Sequence, residues 1–260
     1  MAHMKGGEFI VDFLIREKVP YVFGICGHGN VGLLDAMYDR QDELKLISPR
    51  HEQAAGHMAD AYYRVSHKPV ATLASIGPGS VNMLMSLANA FMDSSAILSI
   101  TSATPTVQAN RAPFQEIGRH NQADFAQSIQ SYVKRCYQPQ RVENLPLAMR
   151  HAYSLTTTGR PGPVALDIPF DLFQESGELE YEPVQTAEIS SRLGASAETV
   201  SAVVDMLVSA CRPVIYIGHG VALSEAGAEL TALVDRLGIP VGGLPNGMGG
   251  IDMRHELSLG

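Results

Sequence analysis

A single carboxylate followed by small residues at helical spacing is the strongest chemical signal in this chain. Glu52 stands in the run Arg50-His51-Glu52-Gln53-Ala54-Ala55-Gly56-His57-Met58-Ala59-Asp60, just past a short apolar stretch. Ala55, Ala59 and Tyr62 follow it on one side of a helix, a narrow apolar face that packs closely. That puts Glu52 at the mouth of a strand–helix crevice. In open α/β sheets, ligands bind in the crevice beyond the carboxyl ends of the strands. A carboxylate held there against apolar neighbours suits proton transfer. The position equally suits plain stabilisation, because the helix dipole favours an acid in the first turn. The residues around Glu52 leave both readings open.

Two glycine turns repeat the same strand–turn–helix arrangement. Gly27-His28-Gly29-Asn30 follows the apolar run Tyr21 to Ile25, and Gly77-Pro78-Gly79-Ser80 follows Val70 to Ala74. In a parallel sheet both turns open on the edge that carries Glu52. Neither fits the dinucleotide fingerprint, which needs GxGxxG opening a helix and an acid about 20 residues on. A phosphate-cradling P-loop is also absent from the sequence. Asn82, after the second turn, could cap its helix or bond locally. Cys26, beside the first turn, is expected to fill space. Cys26, Cys136 and Cys211 are scattered and odd in number, without metal-ligand spacing. No metal site is expected, and a reduced, cytoplasmic setting is the simpler inference.

The elements that must position these residues follow a regular rhythm. Helical spacing from about Gly6 to Lys18 stops before Pro20, and Tyr21 to Ile25 reads as a buried strand. A helix to about Arg40, a strand from Leu44 to Ile47 and the Glu52 helix come next. The strand at Val70 leads to a helix ending near Met92, and Ala96 to Thr101 forms another strand. Residues 103–122 are polar and aperiodic, long enough for a functional loop. A helix from about Asn144 to Thr158 precedes the strand Val164 to Ile168. Continuous apolar strands between amphipathic helices imply an α/β fold with a doubly wound parallel sheet.

After Pro169 the composition turns acidic. Asp171, Glu175, Glu178, Glu180, Glu182 and Glu188 have no Lys or Arg among them, so residues 171–192 read as a linker. A partial second α/β domain occupies 193–260: a helix near 196–210, a strand from Pro213 to Ile217, a helix near 224–237 and a strand at Pro240-Val241. Two βα units bury too little surface to stand as a domain. Either another polypeptide completes this half or the sequence is a fragment. Met1-Ala2-His3-Met4 reads as a vector scar. The 260 residues are 45% hydrophobic and 18% charged, as in an ordinary globule with a sizeable core. The net charge of −8 comes without any basic run, so nucleic acid is not an expected partner. No apolar run reaches membrane-spanning length, and no signal peptide is visible.

Taken in order, these pieces resemble the pyrimidine-binding domain of thiamine-diphosphate enzymes of the acetolactate (acetohydroxyacid) synthase type, over residues 5–170. Tyr21 to Ile25 with Gly27 resembles the family's first strand and glycine turn. Arg50 to Ala55 with His57 to Asp60 matches its central signature, and Gly77-Pro78-Gly79 with Asn82 its GPG-x-x-N turn. Phe114-Gln115-Glu116 resembles the FQE loop, and Thr158 to Val164 with Asp167-Ile168-Pro169 the closing TGRPGPV…DIP strand. Each piece is weak alone; their order and spacing carry the resemblance.

The resemblance implies that Glu52 hydrogen-bonds the aminopyrimidine ring of thiamine diphosphate and so drives removal of the thiazolium proton. Gly27, Pro78, Gly79 and Asn82 would line the pyrimidine pocket. Gln115 would reach toward substrate, a 2-oxo acid or related ketone, across a dimer interface. His28 departs from the synthases, which usually carry a second Gly there. Gly27-His28-Gly29-Asn30-Val31 with Ser75-Ile76-Gly77-Pro78-Gly79 looks more like thiamine-dependent hydrolases that open cyclic 1,2-diketones. A His at that turn would face the thiazolium as acid or base. His51, His57 and His120 are weaker candidates, with His57 expected to pack or to support Glu52.

The family grips the diphosphate through Mg²⁺ on a further domain with a GDG…N motif, and no GDG occurs here. The resemblance therefore implies a homo-oligomer of a longer chain, or a companion chain carrying that domain, and little cofactor binding without it. The segment from Tyr216 to Val221 resembles the start of the family's central domain, which in the synthases carries FAD. Too little of it is present to support an expectation of flavin. A non-catalytic partner subunit is the remaining reading, and an intact Glu52 argues against it.

Overall fold

The computed structural model describes residues 2–108, 111, 125–184 and 194–260. The chain divides into two compact units, residues 1–189 and 190–260. In the first unit the elements are β1 (Ala2–Lys5), α1 (Gly6–Arg16), β2 (Tyr21–Gly24), α2 (Val31–Tyr38), β3 (Lys45–Ile47), α3 (Glu52–Ser66), β4 (Val70–Ala74), α4 (Pro78–Asn82) and α5 (Leu84–Met92). They continue as β5 (Ile97–Ala103), α6 (Phe125–Ile129), β6 (Cys136–Tyr137), α7 (Leu145–Thr157), β7 (Val164–Pro169) and β8 (Ser176–Leu179).

Six strands form one sheet in the order β3-β2-β4-β5-β7-β6, every neighbouring pair parallel. The chain runs outward from β2 to β3, then returns to lay β4 on the other side of β2. The reversal leaves the crevice between β2 and β4, the kind of place where open α/β sheets take ligands. Every residue of β4 and β7 is buried, which is why these strands read as largely apolar runs, broken only by Thr72 and Asp167. Helices α1, α2 and α7 pack on one face through Phe9, Leu33 and Leu145. On the other, α3 and α5 pack through Ala55, Ala59, Leu87 and Ala90.

Helix α3 begins where its sequence signals a start. His51 is its N-cap, with Nδ1 accepting from the Gln53 amide at 3.1 Å, and Glu52 lies in the first turn. The helix ends at His67, in the left-handed conformation (φ 53°). Small residues bring it close to α5: a Cβ on Gly56 would lie 1.9 Å from Ser86 Oγ. At Asp60 the two helices are locked together. Its carboxylate accepts from Arg64 Nε and Nη2 (3.1 and 3.0 Å), Asn89 Nδ2 (2.9 Å) and Ser95 Oγ (2.5 Å). Arg64 also donates to Asp93.

Three features depart from the sequence reading. The helix expected to run unbroken to Met92 is interrupted at Met83, whose amide bonds back to Ser80 (3.1 Å) in a tightened turn. Part of the acidic stretch read as a linker is strand: β8 pairs antiparallel with β1, so residues 2–4, read as a scar, join the sheet-forming backbone. That pairing spans most of the unit, and Leu179 beneath it is buried. Cys26, expected to fill space, is exposed.

Beneath α1, Tyr153 is 5% exposed and stacks edge-on against Phe13, its hydroxyl donating to the Glu17 carbonyl at 3.3 Å. Burial, then the charge of Glu17 and the neighbouring Tyr181, holds its phenol protonated well above the usual tyrosine range. Because the folded-state pKa is raised, this contribution is whole below about pH 10 and is lost as pH climbs beyond it. Tyr153→Phe should therefore cost about 1 kcal/mol at neutral pH and yet lose less stability on going to alkaline pH. Melting temperature against pH checks this; an alkaline slope equal to wild type would refute it.

The second unit comprises α8 (Ala197–Ser209), β9 (Ile215–Ile217), α9 (His219–Leu223), α10 (Gly227–Leu237) and β10 (Val241–Gly243). β9 and β10 pair in parallel over a small core of Ile217, Val234, Val241 and Ile251. Ser196 caps α8, accepting from the Thr199 amide, yet Val200, Val203, Val204, Met206 and Val208 of that helix are exposed. Among the described residues of the chain, no helix is long and apolar enough to cross a membrane.

Candidate active site

The carboxyl ends of β2, β3 and β4 are adjacent in the sheet, so the turns that follow them meet. From β3 comes Glu52, from β2 the Gly27 turn, and from β4 the Gly77 turn with Asn82. Glu52 is half-buried, as a place at the mouth of a crevice requires. Asn82 Nδ2 donates to Glu52 Oε2 at 3.0 Å, which answers what Asn82 does: it holds the carboxylate instead of capping its own helix. Oε1 faces the other way, toward Gly79, where an added Cβ would lie only 3.1 Å from it. Among the described residues Oε1 accepts no hydrogen bond. Gly79 thus keeps a small cradle clear beside a carboxylate oxygen with spare capacity.

The backbone of this cradle is built by glycine. Gly77 adopts φ +65°, a conformation that side chains other than glycine rarely take, and turns the chain into Pro78 at the first position of α4. Ser80 Oγ donates to the Ser75 carbonyl at 2.7 Å and braces the turn. Across the β2–β4 crevice a Cβ on Gly27 would lie 2.5 Å from Ser75, and the Gly29 amide donates to Ser75 Oγ at 3.2 Å. Asn30, fully buried, accepts from the Gly27 amide (2.9 Å) and donates to the Ile25 carbonyl (3.0 Å). His28 is left exposed between these tied residues, its ring edge-on to Phe170 with centroids 5.9 Å apart.

The structure thus brings Glu52, Gly79 and Asn82 into contact and puts Gly27, His28 and Pro78 on the same sheet edge. Gln115, with Phe114, Glu116 and His120, lies outside the described residues. His51 caps α3, and His57 is exposed, its Nε2 3.4 Å from Gln53 Nε2. Sequence reasoning missed the bracing roles of Asn30, Ser75 and Ser80 and the contact of Phe170. A buried Asn directly after a glycine turn was the available signal for the first. Among the described residues, no group of three or more His, Cys, Asp or Glu is placed to hold a metal.

The donor set suits an aminopyrimidine. Such a ring presents a nitrogen that a carboxyl oxygen can bond, and flat apolar edges that a glycine cradle admits. The N-terminal TPP binding domain of thiamine pyrophosphate enzymes matches residues 4–125, and the central domain of these enzymes matches 200–260. Acetolactate synthase of Arthrospira platensis is 33% identical over 263 residues, covering 98% of this chain and 44% of that protein. The chain belongs to the acetolactate synthase-like family of thiamine pyrophosphate enzymes.

Other members tell the same story. Acetolactate synthase isozyme 1 large subunit of Escherichia coli is 33% identical over 255 residues, 98% of this chain and 44% of that protein. The mitochondrial acetolactate synthase of Schizosaccharomyces pombe is 34% identical over 264 residues, 98% of this chain and 38% of that protein. This family member therefore spans less than half the length of the curated relatives it matches. Family membership implies thiamine diphosphate as the cofactor.

Proposed function

We propose that this chain supplies the pyrimidine-activating half of an acetolactate synthase-like site, in an enzyme that makes or breaks a carbon–carbon bond on a 2-oxo acid or related ketone. The observation that carries the reading is the division of labour at Glu52: Oε2 is held by Asn82 while Oε1 looks into the Gly79 cradle. Held in this way, the carboxyl can bond the pyrimidine ring and pass a proton without losing its position. Asn82 orients it, Gly79 and Pro78 leave room for the ring, and Gly27 lets the turn carrying His28 approach from the neighbouring strand. Thiamine diphosphate, when bound, supplies the electron sink for the reacting carbon, which no side chain offers.

On this reading Glu52, Gln115 and His28 act in the chemistry, as transferase or lyase. The diphosphate and its Mg²⁺ are held by a domain outside these residues, on a longer copy of this chain in a homo-oligomer or on a companion chain. The three cysteines Cys26, Cys136 and Cys211, scattered and without metal-ligand spacing, suit a reducing, cytoplasmic compartment.

One observation favours a second reading. His28 is an exposed imidazole on the cofactor edge of the sheet, where an acid or base would serve hydrolytic opening of a cyclic 1,2-diketone. The two are separated by supplying the complete enzyme, this chain with its diphosphate-binding domain, with pyruvate or with a cyclic 1,2-diketone. Thiamine-dependent carbon–carbon coupling of pyruvate is the expected result. Ring opening of the dione without pyruvate turnover would replace it with the second reading, and inertness toward both would refute each.

A further inference from the structure

The imidazole of His28 lies against an aromatic ring and makes no side-chain hydrogen bond among the described residues. Its backbone is fixed on both sides, by Gly27 to Asn30 (2.9 Å) and Gly29 to Ser75 (3.2 Å). The side chain itself makes no hydrogen bond among the described residues, and its one aromatic or polar partner there is Phe170, at 5.9 Å and 81°. Phe170 is the first residue beyond β7 and opens a short 3-10 turn, Phe170–Phe173. That turn is firmly seated. Leu172 and Phe173 are fully buried, and Asp171 accepts from the Thr106 amide (3.0 and 3.1 Å) and hydroxyl (2.5 Å). A half-buried ring on a rigid turn thus faces an exposed ring on another rigid turn.

We propose that Phe170 is a positioning residue for His28, fixing the plane of the imidazole; this rests on the reading of His28 as a group that meets the substrate. The chemistry favours an aromatic partner for that task. A carboxylate or carbonyl orienting the ring would occupy one nitrogen and set the tautomer. An edge-on phenyl constrains the ring by its shape and quadrupole and leaves both nitrogens open to donate or accept. That suits a residue that must change its protonation state during a turnover, or meet a substrate oxygen in either state.

The test is a double-mutant cycle in the complete enzyme, with Phe170→Leu, Phe170→Tyr, His28→Ala and the pair Phe170→Leu/His28→Ala. Phe170→Leu should lower kcat about tenfold with KM unchanged, the scale expected when a reacting group is slightly misplaced. In the His28→Ala background it should cost nothing further. Phe170→Tyr, which keeps the ring, should stay near wild type. An equal loss from Phe170→Leu with and without His28, or no loss at all, would overturn the proposal. A second readout separates it from the reading of His28. In the 260-residue chain, the His28 carbon-bound ring protons should carry a ring-current shift that vanishes in Phe170→Leu. If His28→Ala turns over like wild type, the catalytic reading falls while that shift still upholds the positioning contact. Absence of the shift overturns the positioning whatever the kinetics.

Discussion

Glu52→Gln is expected to lower turnover of the complete enzyme about 10²- to 10⁴-fold, the usual contribution of a general acid–base group. Glutamine is nearly isosteric, and its amide oxygen can still accept the bond that Asn82 Nδ2 gives to Oε2. What changes is the atom that looks toward Gly79, where an NH₂ replaces an oxygen able to gain and lose a proton. Stability should stay within about 0.5 kcal/mol of wild type, because the residue is half-buried and keeps its partner. Steady-state turnover at saturating thiamine diphosphate, measured beside the melting temperature, checks both halves. Wild-type turnover in a folded variant would remove Glu52 from the chemistry.

Asp60→Ala should have the opposite profile, a severe loss of stability from a residue of the same helix. Its side chain is 7% exposed and is the common acceptor for Arg64, Asn89 and Ser95. The hydrogen bond to Asp60, against the cost of burial and with help from Asp93, holds the Arg64 guanidinium above its ordinary pKa. Truncation leaves three donors short of a partner in the seam between α3 and α5. Breaking a buried pair from one side costs about 3–5 kcal/mol, which for a domain of this size is roughly 6–20 °C in melting temperature. A thermal melt of the 260-residue chain decides it. A shift of a degree or less would mean that the seam is held by packing alone.

What could be read in advance follows the range of the forces involved. The sheet, its helices and the place of Glu52 were legible because burial on both faces leaves largely apolar runs, and because His51-Glu52 is a local start signal. Glycine turns were legible for the same reason: positive φ at Gly77 and close approach at Gly27 are demands of backbone geometry on one residue type. The pairing of β1 with β8 was not, since its partners lie far apart in the chain and only Leu179 is buried by it. The contact of Phe170 with His28 was equally silent, because the two lie far apart in the chain and meet only at the carboxyl edge of the folded sheet. Asn82 was ambiguous for a sharper reason: an Asn after a helix start bonds locally as easily as distantly, and only the fold sets Glu52 Oε2 at 3.0 Å.

The contact of Gly56 with Ser86 has a consequence for how such a protein can diversify. Any side chain at 56 would drive α3 off α5, and with it the carboxylate four residues earlier, so the Glu52 side of the crevice tolerates almost no trial and error. The turn bearing His28 has no such constraint on its exposed side chain. Backbone packing therefore fixes the Glu52 rim of the crevice, while at position 28 the limits come from the chemistry of the side chain and its contact with Phe170. On the proposed reading, such a scaffold can keep one way of activating its cofactor while an exposed side chain on the opposite rim adapts to a new substrate.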